Sequence, residues 1–229
     1  MYSGLTAMKK KSVAVVIISN GPGELTTWVN PVVDELNKIN KSLCDDDKQD
    51  FTLRLVLVPC PNATGKEFLV ANSWNKFELI TKSKSFWKLL IKPHSFASWP
   101  KKGVVIFLGG DQLWSVLLAK RLGYLNITYA EWVSRWPQWT NEIAAMNLKV
   151  KELIHKKYKN KCKVIGDLMA DIKLNNEISL KNKEEQYIAL LPGSKKAKLS
   201  VGIPFFLEVA DRIAERNQNI NFIIPIAPT

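Results

Sequence analysis

The chain is poor in the residues that would make several explanations easy. Of 229 residues only three are cysteines, Cys44, Cys60 and Cys162, with no paired C-x-x-C. An odd, scattered set argues against a disulfide framework and fits a reducing compartment. There are two histidines, His94 and His155, neither at metal-ligand spacing from a cysteine or another histidine. No metal site and no cofactor is expected from them. The longest apolar runs, near 13–18 and 104–108, fall far short of the ~18–20 residues of a spanning helix. Lys9–Lys11 before the first run resembles a signal peptide, but the run is short and no small-residue cleavage site follows, so a secretory leader is not expected. Residues 1–7 read as a lead without order of their own. The G-x-G-x-x-G, P-loop and G-x-S-x-G patterns are all missing.

Cations are what the chain has in excess. Lys plus Arg number 33 against 21 acids, a net charge of +12. That balance favours a polyanionic partner: a phosphate-bearing substrate, a membrane surface or a nucleic acid. Hydrophobic residues at 46% and charged residues at 24% are near globular averages, which excludes a disordered, collagen-like or coiled-coil chain.

β-branched runs alternate with amphipathic segments. Strands are expected over 13–19, 53–58, 104–108, 127–130, 163–165, 187–191 and 221–226. Helices are expected from the first glycine turn to about residue 40, and over 64–72, 112–122, 140–159 with a break, and 203–216. Pro31 sits awkwardly inside the first of these. This alternation predicts an α/β fold with a parallel sheet covered on both faces. A first domain over 1–172, a polar linker over 173–186 and a second unit over 187–229 follow from the composition shift.

Ligands of such sheets sit beyond the carboxyl ends of the strands. Four turns fall there: 20–24, 109–111, 130–135 and 192–196. In Asn20-Gly21-Pro22-Gly23-Glu24, glycines let backbone N–H groups approach an anion at a helix N-terminus, and a tight turn without ligand is the other reading. Asp111 after Gly109-Gly110 is either a general base or the cap of the next helix. Pro192-Gly193-Ser194-Lys195-Lys196 combines backbone donors, a hydroxyl and cations suited to a diphosphate, or is a plain turn before a solvated lysine face. Residues 76–102 hold seven lysines against one acid, interleaved with Phe77, Phe86, Trp87, Phe96 and Trp99. Lys84, Trp87, Lys88, Lys92 and Trp99 are the candidates for contact with an anionic membrane surface. A solvated lysine face is the alternative. No nucleic-acid motif accompanies the segment, so nucleic acid is the disfavoured partner.

Several stretches carry a family resemblance. IALLPGSKK over 188–196, PFFLEVA over 204–210, FIIPIAPT over 222–229 and VIGDLMAD over 164–171 are similar to segments of lipid-A-disaccharide synthase. SNGPGEL over 19–25 and YAEWVSRWP over 129–137 resemble a divergent, cyanobacterial-type branch of related glycosyltransferases. The resemblance implies a GT-B type enzyme: a Rossmann-like parallel-sheet domain, plus the start of a second Rossmann-like domain, with the chain an N-terminal part. It implies transfer of an acylated glucosamine-type sugar from a UDP-sugar donor to an acylated sugar phosphate or other lipid acceptor. The expected place is the inner face of the cytoplasmic membrane, peripherally bound, and no metal is needed. Asp111 and Glu24 are then the candidate catalytic residues. Asn20, Gly21, Gly23, Glu131, Trp132 and Arg135 are the acceptor-side candidates, and Gly193, Ser194 and Lys195 the donor-diphosphate candidates. Lys195 stands where the family carries arginine, keeping the charge without the bidentate fork. The rival expectation is a non-catalytic lipid- or membrane-surface-binding protein built on such a domain.

Overall fold

A computed structural model of the chain describes residues 13–45, 50–61, 63–172, 186–193 and 196–226. The expected lead at 1–7, most of the expected linker, and Ser194 and Lys195 lie outside the described residues. The chain divides into two compact units, Met1–Ile172 and Lys173–Thr229.

In the first unit, β1 (Val13–Ser19) leads into a short α1 (Pro22–Glu24), a π-helical turn (Leu25–Val29) and α2 (Asn30–Asp45). β2 (Phe51–Leu57), α3 (Glu67–Ser73) and β3 (Leu79–Thr81) follow, then α4 (Phe86–Ile91) and α5 (Pro93–Phe96). β4 (Gly103–Phe107), α6 (Gln112–Leu122), β5 (Leu125–Ala130), β6 (Glu142–Ala145), α7 (Leu148–Leu153) and β7 (Cys162–Val164) complete it. All six pairings are parallel, and the strand order is β3-β2-β1-β4-β5-β6-β7. The fold is α/β with a Rossmann-like sheet of GT-B type. The order reverses between β1 and β4, and such a switch opens a crevice beyond the strand ends.

Both faces of the sheet are buried, which is why its central strand reads as a continuous apolar run. Ala14, Val16 and Ile18 of β1 pack with Phe86 and Leu89 of α4 and Leu118 of α6. Val15 and Ile17 face Leu25, Trp28, Val29 and Val33 on the other side.

Two expectations needed correction. Residues 140–159 are not mainly helical, since β6 precedes the short α7. Strand β6 has only four residues and half of them are alanine, too little pattern to separate strand from helix. β3 was hidden inside the lysine-rich stretch for the same reason. Pro31 is accommodated by the π turn directly before it. There the Asn30 N–H donates to Leu25 O, a wider register that ends as the proline, with no N–H to give, begins its own turn.

In the second unit, β8 (Gln186–Ala189), α8 (Lys196–Arg216) and β9 (Ile220–Ile223) form a βαβ with the two strands parallel. α8 begins at Lys196, before the expected start at 203, and takes in the last residue of the expected turn at 192–196.

Candidate functional site

At the switch point the first unit has a pocket of about 210 Å³. The turn after β1 supplies Glu24 and Trp28. The end of β4 and its turn supply Phe107, Gly109 and Gly110, and the first residue of α6 supplies Gln112. β5 and its loop supply Tyr129, Glu131, Trp132, Val133 and Arg135.

Glu24 owes its place to two glycines. A Cβ on Gly21 would lie 1.5 Å from Glu24 Oε2, so the carboxylate occupies the space a side chain would take. A Cβ on Gly109 would meet Glu24 Cβ and Cγ at 3.2 and 3.3 Å and Ser19 Oγ at 2.8 Å. Two strand-end turns thus clamp one acidic side chain between them. Gly110 adopts φ +89°, a left-handed conformation that favours glycine.

Glu131 stands half-buried on the next turn. Burial pushes its carboxyl above the ordinary 4.5, and the charges of Glu24 and Asp167 push the same way, while a hydrogen bond from Trp132 opposes them. Below it, Tyr129 is 3% exposed and stands edge-on to Trp28 at 5.2 Å. Its hydroxyl donates to Gly166 O and accepts from the Leu168 N–H, both at 3.4 Å.

Gln112 fixes the loop that carries the remaining groups. Its Nε2 donates to Val133 O at 2.7 Å, and its Oε1 accepts from the Arg135 N–H at 2.8 Å.

Several candidates fall elsewhere. Asp111 does not line the pocket; its Oδ1 accepts from the Leu113 N–H at 2.9 Å and caps α6. The cap that the sequence offered for it is present. Asn20 is 1% exposed and donates through Nδ2 to Val58 O, tying the ends of β1 and β2 together. That burial removes it from contact with an acceptor. Gly23 has open space where its side chain would be, and its carbonyl accepts from the Thr26 and Thr27 hydroxyls. Gly193, in the second unit, has φ +99°. The sequence reading missed Trp28, Gln112 and Tyr129 as pocket residues. Trp28 showed only its core periodicity, and Gln112 only its place directly after a strand-end turn.

Lys84, Lys88 and Lys92 are exposed, and Trp87 is half exposed beside an exposed Ile91. Trp99 is a correction: it is buried, its Nε1 donates to Pro93 O at 2.9 Å, and Arg54 lies 4.7 Å from its ring centre. An indole held there cannot reach a membrane. Among the described residues no helix is long and apolar enough to cross one, and no group of three His, Cys, Asp or Glu could hold a metal ion.

No family model matches the chain. Lipid-A-disaccharide synthase 2 of Legionella pneumophila strain Philadelphia 1 is 34% identical over 83 residues, 33% of this chain and 22% of that protein. The strain Paris counterpart is 39% identical over 70 residues, 28% of this chain and 18% of that protein. The matched stretches thus span about a fifth of those relatives' length. Among solved structures, the UDP-GlcNAc 2-epimerase of Neisseria meningitidis, bound to UDP-GlcNAc, aligns with a TM-score of 0.56 at 13% identity. The alignment covers 94% of this chain and 66% of that one. The MnaA–UDP structure from S. aureus aligns with a TM-score of 0.57 at 11% identity, over 95% and 63%. The likeness to these structures is one of fold.

Proposed function

We propose that the chain is the acceptor-side part of a UDP-sugar-dependent glycosyltransferase related to lipid-A-disaccharide synthase. The observation that carries this reading is the pair of carboxyls, Glu24 and Glu131, brought from the turns after β1 and β5 into one pocket at the switch point. The partial sequence match to Lipid-A-disaccharide synthase 2 supports the sugar class.

In this reading a hydroxyl oxygen of the acceptor attacks the anomeric carbon of the donor sugar. The bond from that carbon to the diphosphate breaks, UDP leaves with the electron pair, and the hydroxyl proton passes to a pocket carboxylate. Glu24 is our candidate for that base, because the two glycines hold its carboxylate in one place before substrate arrives. Glu131, with its raised proton affinity, and Arg135 bind acceptor groups. Gly193, Ser194 and Lys195 are our candidates for the diphosphate. The donor carries an acylated glucosamine-type sugar and the acceptor a lipid-linked sugar phosphate, met at the inner face of the cytoplasmic membrane.

The test is release of UDP and mass-spectrometric detection of a disaccharide lipid from a UDP-acylglucosamine donor and an acylated glucosamine phosphate. Glu24→Gln should lower the rate by about 10²–10⁴-fold, the usual worth of a positioned base. No product from the unsubstituted protein in its full natural length refutes the enzyme reading.

A second reading, a lipid-surface-binding protein without catalysis, is favoured by the exposed Trp87 and Ile91 among Lys84, Lys88 and Lys92. Vesicle binding without any UDP release is the result that selects it.

A further inference from the structure

We propose that Trp132 is the sugar-stacking residue of the pocket in the first unit and that Gln112 positions it. The inference rests on the reading of this pocket as the acceptor side, and it names what the pocket recognises: a neutral, hydroxyl-rich pyranose ring rather than the nucleotide.

Trp132 is 76% exposed, yet it lines the pocket. A large exposed aromatic with a mobile backbone would carry little meaning. This one is held on both sides. The Gln112 amide bonds Val133 O and the Arg135 N–H, so the chain following the indole is tied to the first turn of α6. On the preceding side, the Ala130 carbonyl accepts from the Met146 N–H at 3.0 Å, which ties the chain before the indole to the end of β6. The far half of the loop is equally tied down. The Thr140 hydroxyl donates to Trp136 O at 3.0 Å, Lys161 Nζ donates to Thr140 O at 2.8 Å, and Trp136 and Trp139 stack at 5.2 Å with 12° between planes. An aromatic face presented to solvent by so many fixed contacts is a preorganised contact surface, and its ordering entropy is spent before a ligand arrives.

Charge decides which ligand. The charged groups lining the pocket with Trp132 are Glu24 and Glu131, with Asp167 near enough to act on Glu131, against the cation of Arg135. Two carboxylates accept hydrogen bonds from sugar hydroxyls and repel a diphosphate. Size agrees: about 210 Å³ is below the roughly 300–1,000 Å³ of pockets for drug-sized ligands, and suits one ring better than a nucleotide sugar. The C–H face of a pyranose then lies on the indole while its hydroxyls reach the carboxylates.

The experiment labels the full chain with 5-fluorotryptophan, giving one fluorine line for each of eight tryptophans, with Trp132→Phe assigning the line of interest. The probes are methyl N-acetyl-β-glucosaminide and, separately, UDP. The glucosaminide should shift the Trp132 line saturably, and UDP should leave it in place. Trp132→Ala, an exposed site, should weaken glucosaminide binding about tenfold, the upper worth of an aromatic contact, without changing the melting temperature. Gln112→Leu should broaden or split the Trp132 line before any sugar is added and weaken binding several-fold. A Trp132 line unmoved by saturating sugar, or equal binding by Trp132→Ala, overturns the stacking inference while leaving the acceptor-side reading standing. An unsubstituted protein that binds no glucosaminide overturns both. A Gln112→Leu protein with an unchanged line and affinity overturns the positioning role.

Discussion

Replacing Gly21 with alanine should cost the protein its chemistry and almost none of its stability. The added Cβ would fall 1.5 Å from Glu24 Oε2, 1.9 Å from Cδ and 2.3 Å from Oε1. These atoms are the far end of a flexible side chain, so the carboxyl group swings away and the backbone stays. Gly21 has φ −77° and ψ 135°, a conformation that alanine adopts freely. Restricting the unfolded chain stabilises by about 0.4–1 kcal/mol. Losing glycine as an N-cap costs roughly 0.5–1 kcal/mol, so the two nearly cancel. With net change inside about 1 kcal/mol, Tm should move by no more than about 4 °C. If Glu24 is the base, its displacement should lower transfer by about 10²–10⁴-fold, as Glu24→Gln does. Gly23→Ala is the control, because nothing lies within 4 Å of its added Cβ. The assay pairs UDP release with a thermal melt. A Gly21→Ala protein that transfers at the parental rate refutes the clamp, and so does one that fails to fold.

Three further outcomes follow from the same contacts. Glu131 has its carboxyl pushed above 4.5, so the native state holds the proton more tightly than the unfolded chain. That contribution is complete below pH 4.5 and fades as pH rises through the raised value. Glu131→Gln should therefore be more stable than the parent at pH 7–8, with the difference shrinking toward pH 4, read as Tm against pH; a constant offset would contradict the burial argument. Trp99→Ala should cost about 3–5 kcal/mol in urea melts, because its indole is 9% exposed and packed in the core. Trp87→Ala, at a half-exposed site in edge contact with Phe86 and Trp114, should cost about 1–3 kcal/mol, leave the protein folded, and weaken co-sedimentation with anionic vesicles. Equal sedimentation would show that the lysines act without the aromatic.

The strands of the sheet centre were legible because they are buried on both faces, and a buried strand in a parallel sheet has to be a β-branched run. β1 ends where the pattern ends, at Ser19. β3 and β6 were not legible, being short edge-side strands whose few apolar residues carry no period. The site was legible by position more than by role. Strand-end turns pointed to Glu24, Glu131, Trp132 and Arg135, which share the pocket. The same rule also pointed to Asp111 and Asn20, because local sequence does not show whether a polar side chain turns outward or caps the backbone. Asp111 found its partner two residues on, at Leu113, and Asn20 found Val58, 38 residues away. Only the second required the fold.

The charge of the chain and the charge of the pocket have opposite sign, and that separation constrains what each can do. The protein carries +12 overall, yet the pocket offers Glu24 and Glu131 against Arg135 alone. The cation excess therefore does not describe the ligand that enters the pocket. In the segment 76–102, Lys84, Lys88 and Lys92 point to solvent around Trp87 and Ile91. Two of the other cations there are already engaged: Lys76 pairs with Asp34 at 2.6 Å, and Lys82 lies 4.1 Å from the Phe68 ring centre. Lys84, Lys88 and Lys92, close to Trp87 in sequence, are exposed without such a partner among the described residues, as are Lys101 and Lys102. A polyanionic surface would meet the protein there, screened within about 8–10 Å at physiological salt. The proposed reading uses that division of labour: the lipid part of the acceptor would stay at the basic surface while its sugar ring reaches the pocket carboxylates.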